Sequence, residues 1–199
     1  MNTTNTHRAT RLAIRSLVVA AALGAIPVTA ALATPVSATT TATTTVAPYC
    51  GITWGSLAKT RNTMATGPVA GVRSGRHACY DRLVVDLGSK APGYTVKYVK
   101  NVYTDGEGAL VPLRGGAKLA ILVNAPAYTQ SGSPSYVPKN RKEVVNVTGY
   151  TTFRQVAWAE SFEGYTSMGL GVRARLPFRA FTINDGTTSR LVIDVAHRW

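Results

Sequence analysis

Two short stretches far apart in the chain carry nearly the same residues: Arg82-Leu83-Val84-Val85-Asp86 and Arg190-Leu191-Val192-Ile193-Asp194. Both are β-branched and apolar, and each is bracketed by an Arg and an Asp, so both predict strands. The two-residue period sends Leu83, Val85 and Leu87 to one face and Arg82, Val84 and Asp86 to the other. In the second copy Leu191, Ile193 and Val195 face inward, and Arg190, Val192 and Asp194 outward. If the copies pair antiparallel, Arg82 sits opposite Asp194 and Asp86 opposite Arg190. Parallel and in register, like charges would face each other, which is destabilising.

The rest of the chain keeps the same character. Short alternating runs, at 94–103 and 190–196 among others, are separated by turn signals such as Asp105-Gly106-Glu107-Gly108 and Asn184-Asp185-Gly186. The stretch 119–123 is continuously apolar and predicts a strand buried on both faces. Phe153, Val156 and Ala157 also fit helical spacing, but strand-like neighbours favour a strand from 153 to 162. No long amphipathic helix is apparent. The expectation is an all-β sandwich of two small sheets in one domain.

The first 38 residues resemble a leader. Arg8, Arg11 and Arg15 precede an apolar run, and small-residue cleavage patterns follow at Ala31-Leu32-Ala33 and Val36-Ser37-Ala38. Pro27 interrupts the run, so no membrane span is expected once the leader is removed. Residues 39–48 form a Thr-rich spacer too poor in large apolar residues to fold. The domain is expected over 49–199. Cys50 and Cys79 are the only cysteines, and in an exported chain such a pair predicts one disulfide.

The chain holds 22 Lys+Arg against 9 Asp+Glu. Without the three leader arginines the balance is 19 − 9, or +10. Such a field favours polyanions. For an exported protein these are wall polymers or anionic lipid headgroups rather than nucleic acid. One loop concentrates the charge at Lys139, Arg141 and Lys142, a candidate electrostatic contact.

Tyr80-Asp81-Arg82-Leu83-Val84-Val85-Asp86-Leu87, Pro92-Gly93-Tyr94-Thr95-Val96-Lys97-Tyr98-Val99, Ser161-Phe162-Glu163-Gly164 and Ser189-Arg190-Leu191-Val192-Ile193-Asp194-Val195 together resemble the AMIN-like domain of secreted actinobacterial proteins. That family is distantly similar to AMIN modules attached to cell-wall amidases and envelope secretins. The resemblance implies a β-sandwich of two sheets and a non-catalytic role in envelope localisation or peptidoglycan binding. Arg82, Asp86, Arg190 and Asp194 occupy the hallmark strand positions and are the expected ligand contacts.

Catalytic readings are weaker. His77 with Asp81 or Asp86 lacks a nucleophile motif. A zinc set of His77, Cys79 and His197 competes with the disulfide and lacks paired ligand spacing. Gly169-Leu170-Gly171 is too short for a phosphate loop. No cofactor motif is present. A hydrolase acting on wall glycan through Asp86, Asp194 or Glu163 is the alternative, but Asp86 and Asp194 each share a strand face with an Arg, which favours a salt-bridged ladder. An extracellular protein-interaction domain is a third possibility.

Overall fold

The computed structural model describes residues 47–199, so the leader and most of the spacer lie outside the described residues. Among these residues eleven strands follow a single 3-10 turn, Tyr49–Gly51. The five-stranded sheet has the order β1 (Lys59–Arg61), β4 (Tyr94–Val99), β7 (Ala117–Val123), β9 (Tyr165–Val172) and β8 (Phe153–Phe162). The four-stranded sheet has the order β10 (Phe178–Asp185), β11 (Thr188–Ala196), β3 (Tyr80–Leu87) and β2 (Val69–Arg76). All pairings in both are antiparallel. A two-stranded ribbon, β5 (Val102–Tyr103) with β6 (Leu110–Val111), stands apart. The 153–162 segment is a strand, as its neighbours predict, because its inward residues continue the core of β9.

The core is the layer between the sheets. Leu83, Val85, Leu87, Leu191, Ile193, Val195 and Phe178 from one sheet meet Val96, Leu119, Ile121, Met168, Leu170 and Val172 from the other, all essentially buried. Each such side chain contributes roughly 1.5–3 kcal/mol on burial, which is how alternation along short strands sustains a fold without helices.

Asp81 is the exception on this inward face. It is fully buried, and its Oδ2 accepts the backbone N–H groups of Thr152 (2.6 Å) and Phe153 (3.0 Å). Its Oδ1 lies 3.2 Å from His197 Nε2. The carboxylate satisfies the backbone at the start of β8 and so ties the two sheets together at one end. His197, weighed above as a zinc ligand, is engaged in this structural link.

The outer face of the five-stranded sheet is roofed by its own chain. The 100–116 connection, which carries the ribbon, crosses it as a strap. Arg114 N–H donates to Gln155 Oε1 (2.7 Å) and Gly106 N–H to Glu160 Oε1 (2.8 Å). Gly169 and Gly171 make the approach possible. A Cβ at Gly169 would lie 2.5 Å from Leu113 Cδ1, and one at Gly171 would fall well inside contact with the Arg114 carbonyl oxygen. Gly171 receives the strap's backbone, and Gly169 the side chains of Leu113 and Val102. The 119–123 run departs from its expectation here: Ala120 and Leu122 are only half-buried, because the strap does not cover them fully.

Candidate functional site

Among the described residues the outer face of the four-stranded sheet has no such strap, and the residues it presents follow from the register. Arg179, Asp194 and Arg82 stand in one cross-strand row on β10, β11 and β3. Phe181, Val192, Val84 and Arg73 form the next, and Ile183, Arg190 and Asp86 the third. β11 and β3 pair antiparallel with Asp194 opposite Arg82 and Arg190 opposite Asp86, the arrangement that cross-strand electrostatics predicts.

The first row is bonded as its register suggests. Arg82 Nε donates to Asp194 Oδ1 at 2.6 Å and its Nη2 to Oδ2 at 2.8 Å, a bidentate fork. Arg179 Nε donates to the same Oδ2 at 2.8 Å. Two arginines therefore hold one carboxylate that is fully buried, although it sits on the outward face. The hydrogen bond to Asp194 raises the Arg82 pKa further above its ordinary value, despite an opposing contribution from burial.

The third row departs from expectation. Asp86 faces Arg190 across the ladder but is bound by Arg73, through Nε at 2.9 Å and Nη2 at 3.0 Å. Arg190 turns instead to Asp185 on its own hairpin, and its Nε is buried without a partner among the described residues. A guanidinium long enough to reach either neighbour takes the one whose geometry suits it, and register alone does not choose. Val84 and Val192, expected on a solvated face, are 4% and 2% exposed. In their row Phe181 and Arg73 flank them.

Aromatic rings complete the surface. The Arg179 guanidinium lies 4.4 Å from the Trp54 ring centre, 4.9 Å from Phe181 and 5.7 Å from Tyr80. Arg82 lies 5.3 Å from the Tyr80 ring, and His77 stacks on the other part of this cluster, 4.5 Å from Tyr80. Cation–π contacts of this kind are worth about 0.5–1 kcal/mol each at exposed sites. They fix the orientation of two arginines that remain part-exposed.

Trp54 reaches this face because of the disulfide. Cys50 is bonded to Cys79, just ahead of β3. From that anchor the chain runs to the start of β10, where Gly55 O accepts the Phe178 N–H at 3.1 Å and Ser56 receives Arg175. The segment thus bridges two strands and lays Trp54 against Tyr80, with ring centres 5.5 Å apart.

Other candidates sit elsewhere. Lys139, Arg141 and Lys142 belong to a loop along the edge of β8. Arg141 is committed there: its carbonyl accepts the Trp158 N–H and its guanidinium donates to Ala159 O. Lys139 and Lys142 are exposed. Glu163 occupies the β8–β9 turn, with a left-handed φ of 47°. The trio Asp86, Asp194 and Glu163 is therefore not gathered into one cleft: two are held by arginines on one sheet and the third lies at a turn of the other. No group of three or more acidic, His or Cys side chains among the described residues is arranged for a metal.

Arg179 and Phe181 escaped the sequence argument although alternation along 178–183 places both outward with the hallmark residues. Trp54 carried no such signal, since only the disulfide brings it here. No helix among the described residues is long and apolar enough to cross a membrane.

No curated protein and no solved structure matches this sequence. The family model of the AMIN-like domain matches residues 67–197, which spans both sheets from the start of β2 to the end of β11 but leaves out β1 and the Trp54 segment. The chain belongs to the AMIN-like domain family.

Proposed function

We propose that this protein is a secreted, non-catalytic envelope module that holds an anionic wall polymer, peptidoglycan first, on the outer face of its four-stranded sheet. One observation carries the proposal: Arg82 and Arg179 are pre-positioned side by side on the buried Asp194 and stacked against Tyr80, Trp54 and Phe181. Arginines fixed in this way bind carboxylates at low entropic cost, because their forks are already oriented. Stem-peptide carboxylates suit the free N–H groups, and the aromatic rings offer area to sugars or peptide. The carboxylates of this face are occupied as acceptors of guanidinium hydrogen bonds, which suits recognition better than acid–base chemistry.

The domain is taken to run over 49–199, with the leader removed on export. The diffuse charge of +10 over the described residues, including Lys139 and Lys142, contributes long-range attraction that salt screens. Co-sedimentation of the mature protein with purified sacculi, before and after their secondary anionic polymers are stripped, tests the proposal. Binding to both preparations at moderate salt supports peptidoglycan itself. Binding lost on stripping assigns the secondary polymer, and no binding to either rejects the proposal.

A further inference from the structure

The opposite outer face contains a hollow of different chemistry. Between the strap and strands β4, β7 and β9 lies a cleft of about 420 Å3, within the size range of small-molecule sites. Val102, Ala120 and Leu122 give it an apolar floor, and Thr95, Lys97, Asn101 and Asp105 a polar rim. At its base is Ser167, 7% exposed, whose Oγ is buried and has no hydrogen-bond partner among the described residues. Buried hydroxyls are almost always paired. Strand alternation turns this one to the outer face, into the cleft, where a bound group would satisfy it. The cleft continues into a shallower hollow of about 250 Å3 that shares Asp105 and Leu122 and is flanked by Phe162 and Tyr165. Both aromatics are conspicuously exposed, at 44% and 36%.

We propose that this cleft binds a neutral saccharide, one hexose unit beneath the strap and the next against Phe162 and Tyr165. An apolar floor with a polar rim matches a pyranose, whose C–H face is apolar and whose equatorial hydroxyls both donate and accept. The rim offers both roles: the Lys97 ammonium only donates, the Asp105 carboxylate accepts, and Thr95 and Asn101 do either. Lys97 and Asp105 cancel in charge and the outer hollow adds the carboxylate of Glu163, a further acceptor for sugar hydroxyls, so the cleft lacks the anion preference of the arginine face. Aromatic rings at its mouth supply flat area for a second sugar ring. The site is independent of wall binding through Arg82 and Arg179.

Neutral linear tetrasaccharides of glucose, galactose and mannose, titrated into the 15N-labelled mature protein, test this. At least one is expected to shift the amides of Lys97, Asn101, Asp105 and Ser167 saturably, at millimolar or lower concentration, with little dependence on salt. Ser167→Ala is expected to weaken that binding about tenfold while leaving the melting temperature unchanged or raised, since it removes an unpaired hydroxyl. Sacculus sedimentation by this variant should match wild type. Ser167→Leu, which fills the base, should abolish saccharide binding. Three results would each overturn the proposal: no saturable shift at these amides with any of the three sugars, undiminished affinity in Ser167→Ala, or shifts confined to Trp54 and Tyr80.

Discussion

The two outer faces of this sandwich start from the same strand alternation and end in opposite states. On the five-stranded sheet, Gly169 and Gly171 remove the side chains, and the chain's own strap lies down on the bare backbone. On the four-stranded sheet, the corresponding positions carry Arg82, Asp194 and Arg179, which cross-link one another and keep the two arginines part-exposed above a buried carboxylate. The buried Asp194 is closed off by its two arginines, with the Trp54 and Phe181 rings against Arg179. A sheet face can thus be finished by burial or by charge, and only the second leaves a broad surface for a macromolecule.

The largest expected effect comes from the link that brings Trp54 to the open face. Replacing Cys50 and Cys79 together by Ala frees a loop with a sequence separation of 29. In the chain-entropy account this costs about 3–4 kcal/mol, measurable by urea unfolding. Trp54 fluorescence should also lose its dependence on Arg179→Ala, because the ring no longer sits on that guanidinium.

Next is a paired test of the two faces by the same chemistry. Gly171→Ala places a Cβ against the Arg114 carbonyl and is expected to destabilise the fold by about 3 kcal/mol through overpacking, with the strap's amides exchanging faster. Gly71→Ala adds a Cβ no closer than 3.6 Å to Asp86, and should change stability by less than about 0.5 kcal/mol. Equal costs would erase the distinction between a roofed and an open face.

Asp194→Asn removes the charge that two arginines share. Arg82 and Arg179 are part-exposed and partly rescued by water, so the loss should be about 2 kcal/mol, below that of a fully buried pair. Arg82→Ala and Arg179→Ala should be non-additive, since either one alone still leaves Asp194 a partner.

Alkaline pH sharpens the contrast with a smaller effect. Tyr98, on the five-stranded sheet, hydrogen-bonds Leu176 at both its N–H and its carbonyl (2.9 Å each), and burial raises its pKa above the ordinary value. The folded state therefore favours the neutral phenol. Stability from this group is intact below about pH 10, where the unfolded tyrosine titrates, and is lost as pH rises from there through the folded pKa. The arginine face keeps its charge over that range, because Asp86 and Asp194 raise the pKa values of Arg73 and Arg82. Tyr98→Phe should flatten the fall in stability above pH 10 without altering the open face.

The sequence carried the architecture well where periodicity governs. Leu83 to Leu87 and Leu191 to Val195 announced two core strands, and their charges predicted an antiparallel register that places Arg82 opposite Asp194. The two cysteines announced their bond. Side-chain choice within the ladder was not legible: Asp86 prefers Arg73, and Arg190 prefers Asp185, because long side chains select among several neighbours that a linear pattern does not rank. The strap was invisible for another reason. Its signal was the absence of side chains at Gly169 and Gly171, and a glycine pair in a strand does not say what approaches it. Lys139, Arg141 and Lys142 read as an electrostatic contact, and periodicity did not show that Arg141 Nη2 donates to Ala159 O on β8.

The central claim is that wall binding belongs to the arginine face and not to net positive charge. The most direct measurement is sacculus co-sedimentation of two variants that each remove two positive charges, Arg82→Ala with Arg179→Ala and Lys139→Ala with Lys142→Ala, both first shown by circular dichroism to be folded. The account predicts at least a tenfold loss of affinity for the arginine pair, persisting at moderate salt, and a loss under threefold for the lysine pair that vanishes as salt is raised. Equal losses for the two variants, or wild-type sedimentation by the arginine pair, would contradict it.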